Sequence, residues 1–362
     1  DTPILKDRLY VNIGQGILKF SDSSLPNNYS SGMRVSSADF DNDGDLDLFV
    51  GGRVVPGMYP VPAKSYLLVN QSNNKEIIFT NATNEEFSNN DLGLITSSVW
   101  TDYNNDNWID LIVVGEWTPI MFFKNMDGKL VEDKSLIDED STRGWWYDIT
   151  SEDFDNDGDM DLVVGNLGNN YKYQANEDET FDIFYNDFDG NNSGDIVLSY
   201  YNDGEQYPLR GRQCSSEQIP AIKLKFDDYD AFSIATLEDV YTEPALENSL
   251  HYFTKTFSSV YLENVGNSFI MSKLPVLAQL SSVNKILKKD IDDDGFVDII
   301  ISGNMFNSEV ETPRNDGSVG ALLKFEPNSG FKAIPARQSG LFLNGDIKDM
   351  EFISLKNNDY II

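Results

Sequence analysis

Five phrases of nine residues recur along the chain, each with Asp or Asn at places 1, 3 and 5 and Asp at place 9. Places 1, 3, 5, 7 and 9 are Asp39, Asp41, Asp43, Asp45 and Asp47 in the first phrase, and Asp102, Asn104, Asp106, Trp108 and Asp110 in the second. They are Asp153, Asp155, Asp157, Asp159 and Asp161 in the third, and Asp187, Asp189, Asn191, Ser193 and Asp195 in the fourth. The fifth holds Asp290, Asp292, Asp294, Phe296 and Asp298. So many carboxylates repel one another unless a cation joins them. Hard oxygen ligands select a hard cation, and calcium accepts roughly six to eight of them in irregular geometry. A tight loop would aim the side chains at places 1, 3 and 5 at one point. Place 7 would lend its backbone carbonyl, which lets Trp108, Ser193 and Phe296 stand there, and place 9 would close the shell. Gly44, Gly158 and Gly295 at place 6 suit a turn of positive φ, and Asn107 and Asn192 are the next most tolerant type. Magnesium demands a stricter octahedron. Zinc is disfavoured because no phrase holds Cys or His.

The flanking residues decide what positions these groups. An EF-hand loop needs a bidentate Glu at place 12 between two helices. Here place 12 is Val50, Val113, Val164, Leu198 or Ile301. Short β-rich apolar runs follow place 9, such as Leu48-Phe49-Val50 and Ile299-Ile300-Ile301, and they predict buried strands. A further strand pattern ending in Asn comes next: Tyr66 to Asn70, Met121 to Asn125, Val260 to Asn264. A unit of about four strands repeated at such periods predicts propeller blades.

The two ends look like halves of one unit. Leu9 to Asn12 with Leu18 to Phe20 has no first half, and Gly345 to Ile362 has no second half. The expectation is an all-β propeller of four-stranded antiparallel blades, closed by pairing of the N- and C-terminal strands. That count gives six blades, with a seventh able to hide between 195 and 290. Residues 209–250 lack the strand pattern and predict a small, partly helical insertion, with Asp230 to Tyr241 as one amphipathic helix.

Composition narrows the partners. A formal charge of -33 on 362 residues argues against nucleic acid and against anionic lipid. About five bound calcium ions would offset ten of those charges. The single Cys214 excludes an internal disulfide, and no apolar run approaches a membrane span. The start, Asp1-Thr2-Pro3, is not a signal peptide and suggests a processed chain or a piece of a longer one. Weak, exposed acidic sites suit the calcium levels found outside cells.

With these phrases in hand, the chain resembles the FG-GAP/VCBS repeat family, whose calcium-bearing blades also occur in integrin α-subunit propellers. The stretches Gly51 to Gly57, Gly115 to Pro119, Arg210 to Glu217 and Glu309 to Asn315 look like a narrower group, large bacterial surface proteins with VCBS repeats that often carry a UnbV-type domain. The resemblance implies one propeller over 1–362 and calcium ligands at places 1, 3, 5, 7 and 9. It also implies a cell-surface or outer-membrane exterior location within a larger envelope assembly, and a binding role. Asn104 and Asn107, and Asn191 and Ser193, depart from the pattern and should weaken the second and fourth sites.

Outside the repeats, Arg210, Arg212 and Arg314 are candidates to grip an acidic sugar or a peptide carboxylate, against internal salt bridges as the plainer reading. His251 reads as structural, Cys214 as a small buried hydrophobe, and Trp117, Trp145 and Trp146 as wedges between blades. No catalytic residue is assigned. The expected function is a non-catalytic calcium-stabilised module that binds a protein or glycan. The alternative is a calcium-dependent carbohydrate-active enzyme such as a polysaccharide lyase.

Overall fold

The computed structural model describes residues 3–83, 87, 91–308, 312–356 and 358–362. An N-terminal hairpin pairs β1 (Leu9–Asn12) with β2 (Leu18–Ser21). Sheet A then runs β3 (Gly32–Ala38), β4 (Asp47–Gly52), β5 (Tyr66–Asn70) and β6 (Phe79–Asn81), all antiparallel in chain order. Sheet B repeats the plan with β7 (Leu94–Thr101), β8 (Asp110–Thr118), β9 (Met121–Asn125) and β10 (Leu130–Glu132). The short β11 (Gly144–Trp145) adds to the far end of β8. Each nine-residue phrase forms the hairpin loop between the first two strands of its sheet, and its place-9 Asp opens the second strand. Strands on both sides confirm that the phrases are not EF-hands.

Sheet C departs from the expected order. It starts with β12 (Asp148–Glu152) and β13 (Asp161–Gly165), and the chain then leaves the sheet for almost a hundred residues. This insert, 166–259, forms its own sheet from β14 (Phe181–Asn186), β15 (Asp195–Asn202), β16 (Glu205–Pro208) and, after five short helices, β17 (Leu250–Thr254). The helices are α1 (Arg212–Gln218), α2 (Ala221–Lys225), α3 (Tyr229–Ser233), α4 (Leu237–Tyr241) and α5 (Glu243–Glu247). Only then do β18 (Val260–Asn264) and β19 (Phe269–Lys273) complete sheet C, with Leu162 opposite Leu262. Sheet D is regular: β20 (Val283–Lys289), β21 (Asp298–Gly303), β22 (Ala321–Glu326) and β23 (Gly330–Ile334). A C-terminal hairpin pairs β24 (Phe352–Leu355) with β25 (Asn358–Ile361).

Four expectations need adjustment. The helices α1 to α5 lie within the expected 209–250, but they are part of a longer excursion from sheet C, 166–259, because the fourth phrase belongs to the sheet that they join. The segment 195–290 builds no separate four-stranded sheet of its own: it completes the insert sheet, finishes sheet C and supplies the first strand of sheet D. The N- and C-terminal hairpins are separate two-stranded sheets, with no ladder joining them among the described residues. With one phrase taken by the insert, four four-stranded sheets stand in the row, and among the described residues the expected shared blade is not formed. The single helix expected over 230–241 is two, because Thr236 caps α4 through a capping box with Asp239 and breaks the run.

Apolar alternation explains the stacking. Along β8, Leu111 and Val113 enter the core between sheets A and B, whereas Ile112 and Val114 enter the core between B and C. Phe154, Val163, Tyr261, Ile299 and Phe325 fill the space between C and D. The first strands β3, β7, β12 and β20 lie side by side in that order. Asp148 on β12 ties three of them: Ser97 Oγ donates to its Oδ1 at 2.8 Å, and Ile286 N donates to its Oδ2 at 3.0 Å. The phrase loops sit at one end of each sheet. The insert leaves from the opposite end of β13 and packs there, with Phe181 stacked on Trp117 at 5.7 Å.

Candidate metal centres

The sequence of each phrase folds its loop by Asx-type bonds. The place-1 carboxylate accepts the backbone N–H of place 6 in every loop and that of place 5 in all but the first, where Asp43 N donates to Asp41 instead. Asp153 takes Asp157 N and Gly158 N at 3.0 Å each, and Asp187 takes Asn191 N at 3.0 Å and Asn192 N at 2.8 Å. The place-5 side chain accepts the N–H of place 7, as in Asp43 to Asp45 N at 3.1 Å and Asp106 to Trp108 N at 3.0 Å. This curl needs left-handed backbone twice. Place 6 was legible as Gly or Asn. Place 4 was missed, although its types carried the signal: Asn42, Asn105, Asn156, Gly190 and Asp293 all have φ between 57° and 75°.

The result gathers carboxylates. Oxygens of Asp39, Asp41 and Asp43 lie within 4.8 Å of one another, as do those of Asp153, Asp155 and Asp157, and of Asp290, Asp292 and Asp294. In the fourth loop the group is Asp187, Asp189 and Asp195. In the second, Asn104 stands at place 3 and donates to Asp110 Oδ2 at 2.9 Å. The donor set fits a hard cation on one direct observation. Asp39 Oδ1 and Asp45 Oδ1 are buried in the first loop without a hydrogen-bond partner, and a buried carboxylate oxygen left so is costly. Asp39, Asp41, Asp43 and Asp45 would hold the ion there, which would supply the positive charge that the loop lacks.

Place 9 has a second task that sequence reasoning did not reveal. Asp47, Asp110, Asp161 and Asp298 are fully buried, and each accepts two backbone N–H groups. One comes from place 2 (Phe40, Tyr103, Phe154, Ile291) and the other from the third strand (Asn70, Asn125, Asn264, Phe325). The carboxylate thus locks the loop to the sheet whether or not it also ligates. The loops also touch one another. Asn105 Nδ2 donates to Asp159 Oδ1 at 2.6 Å, and Asn156 Nδ2 donates to the Gly295 carbonyl at 2.9 Å.

Burial pushes Asp47 and Asp161 up to about 6 and Asp110 up to about 7. Their folded-state values exceed those of the unfolded chain, so without metal the folded protein binds more protons between about pH 4 and pH 7. Stability of the calcium-free protein therefore falls as pH rises through this window. In saturating calcium the trend should reverse, since metal and proton compete for the same oxygens. Thermal melts at about pH 4.5 and 7.5, in EDTA and in calcium, should show opposite slopes. Equal slopes in both would contradict the assignment.

The three arginine candidates are not brought together. Arg212 opens α1, is buried, and donates to the Phe226 carbonyl at 2.7 Å and the Asp227 carbonyl at 3.1 Å. Through these bonds, and with its guanidinium 5.2 Å from the Tyr229 ring centroid, it ties α1 to the residues around α3. Arg210 lies after β16 beside Ser215, Gln218 and Tyr241. Arg314 lines a different, open cleft of about 470 Å³ with Asn169, Asn170, Tyr171, Lys172 and Asn315. Its guanidinium lies 4.3 Å from the Phe306 ring centroid and pairs with Asp316. Of the stretch Glu309 to Asn315, residues 309–311 lie outside the described residues. His251 stacks on Phe184 at 4.1 Å, with Nε2 2.7 Å from Asp182 Oδ1, as a structural histidine would. Trp117 and Trp146 are fully buried; Trp145 is partly so. Cys214 is half-buried in α1. Among the described residues, no helix is long and apolar enough to cross a membrane.

Residues 5–50 and 102–164 match the model of the FG-GAP-like repeat. The two matched segments carry the first, second and third phrases and support an FG-GAP-like repeat family. No curated protein matches the chain. Among the solved structures that overlap it, two show how low the similarity is. A lectin of Agrocybe aegerita, described for recognition of non-reducing terminal N-acetylglucosamine, is 15% identical, covering 90% of this chain and 73% of its own, with a TM-score of 0.32. The V. cholerae biofilm matrix protein Bap1 is 10% identical, covering 96% of this chain and 68% of its own, with a TM-score of 0.31. Scores this low transfer neither fold nor ligand.

Proposed function

We propose that the chain is a calcium-stabilised, non-catalytic module that binds a protein or glycan partner outside the cell, at a surface or within a larger assembly. The observation that carries it is the set of converging carboxylates at the hairpin loops, with two buried oxygens in the first loop left without hydrogen bonds. FG-GAP-like repeats over the first three phrases support the same reading. In this reading about five calcium ions rigidify one end of the sheets, and the opposite end carries the recognition surface. One candidate on it is the open Arg314 cleft, lined also by Asn169, Asn170, Tyr171, Lys172 and Asp316, where a ligand carboxylate would compete with Asp316 for the guanidinium. That chemistry suits a sugar or peptide bearing a carboxylate.

The test is an array of acidic and neutral oligosaccharides probed with the whole chain. Arg314→Ala should weaken binding of carboxylate-bearing glycans about tenfold, the loss of one charge-assisted pair, with an unchanged melting temperature. Binding indifferent to Arg314 would count against the cleft. Formation of an unsaturated, ultraviolet-absorbing product from an acidic polysaccharide would replace binding by lyase activity.

A further inference from the structure

The residue before the third-strand donor to place 9 differs in character from sheet to sheet. The donors Asn70, Asn125, Asn264 and Phe325 bind Asp47, Asp110, Asp161 and Asp298 in the same way. The residues before them are Val69, Lys124, Glu263 and Lys324. Lys124 Nζ lies 3.2 Å from Asp106 Oδ2, the place-5 ligand of the second loop. Lys324 Nζ contacts Asp292 Oδ2 and lies 3.4 Å from Asp294 Oδ2, places 3 and 5 of the fifth loop. Glu263 stands within electrostatic reach of Asp155, place 3 of the third loop. Val69 brings no charge to the first.

We propose that this one position grades the affinity of the loops for calcium, with Lys124 and Lys324 acting as tethered cations that compete with the ion for its own ligands. The inference rests on the calcium reading above. A lysine ammonium a few ångströms from a site repels a divalent ion and also satisfies the carboxylates when the ion is gone. The second and fifth loops therefore have a cationic partner in both states, whereas among the described residues no lysine pairs with the carboxylates of the first and third. Ligand charge adds to the grading. The third loop offers Asp153, Asp155, Asp157, Asp159 and Asp161 with Glu263 nearby, whereas the second offers Asp102, Asp106 and Asp110 against Lys124. The chain should thus hold tight, permanently filled sites in sheets A and C. Sites in sheets B and D should fill and empty as calcium varies.

The experiment is calorimetric titration of the whole chain with calcium chloride, for wild type, Lys124→Met, Lys324→Met and Glu263→Lys. Methionine keeps the apolar stem and removes the charge. Each Lys→Met change should tighten one weak site about tenfold, and Glu263→Lys should weaken one tight site by a similar factor. Terbium luminescence sensitised by Trp108, at place 7 of the second loop, should show the Lys124→Met shift at that loop. Wild type that binds calcium while both Lys→Met isotherms superimpose on it would overturn the grading alone. Wild type that takes up no calcium would overturn the calcium reading and the grading with it.

Discussion

Stripping calcium with EDTA is expected to lower the melting temperature by about 15 °C. A ligand that binds only the folded state stabilises it by about 2.7 kcal/mol at a hundred times its dissociation constant. Five such sites sum to about 13 kcal/mol. A chain of 362 residues unfolds with an entropy of roughly 0.8 kcal/mol/K, which converts that sum to a shift of about 15 °C. The physical source is the loops' own charge. Without an ion, the triads at Asp39, Asp153, Asp187 and Asp290 hold carboxylate oxygens within 4.8 Å of one another. Calorimetry with and without EDTA at fixed ionic strength measures the shift, and atomic emission counts the ions. Asp43→Ala should remove one ion and leave the others. A melt unchanged by EDTA, together with calcium content near zero, sinks the assignment.

The second large effect lies at the opposite end. Arg53 and Glu116 form an ion pair with both side chains mostly buried. Tyr59 Oη donates to Glu116 Oε2 at 3.1 Å, and Trp117 Nε1 donates to Tyr59 Oη at 2.7 Å. Burial, then the Glu116 charge, pushes the Tyr59 phenol well above its usual range, so it stays a donor. Glu116→Ala leaves Arg53 charged and buried with no counter-ion, and should cost about 3–5 kcal/mol. Arg53→Leu with Glu116→Leu together should cost far less than the sum of the single changes, since the isolated charge is what is expensive. Denaturant titration in saturating calcium reads both. A loss below about 1 kcal/mol for Glu116→Ala would show that water reaches Arg53.

The local signals were the legible ones. Asp at every second place, apolar residues after place 9, and Asn at the end of Tyr66–Asn70 and Met121–Asn125 led directly to loop, second strand and third strand. Val260–Asn264 shows where this fails. Its pattern is that of a third strand, but nothing local says that its partner is β13 rather than the fourth-phrase strand β15. The fourth phrase repeats the loop chemistry in a sheet with a different neighbour order, so the repeat concealed the insertion. Lys124 and Lys324 were invisible for a related reason. They reach their loops across a strand pairing, from 18 and 30 residues beyond the contacted Asp106 and Asp294.

The split of sheet C sets an order of events during synthesis. Val163 pairs with Tyr261, and the apolar strand β13 is buried along its whole length only once that pairing exists. At ribosomal speeds of roughly 5–20 residues per second, β13 waits about 5–20 s for its partner. For that interval it offers an open, apolar edge, the kind that recruits strands from other chains. The insert must therefore collapse first and bring Val260 back to β13. Sheet C, which lies between sheets B and D, is thus completed only after the whole insert has been synthesised. Substitutions that slow the insert's own folding should show up as aggregation during expression even where the finished protein is as stable as before.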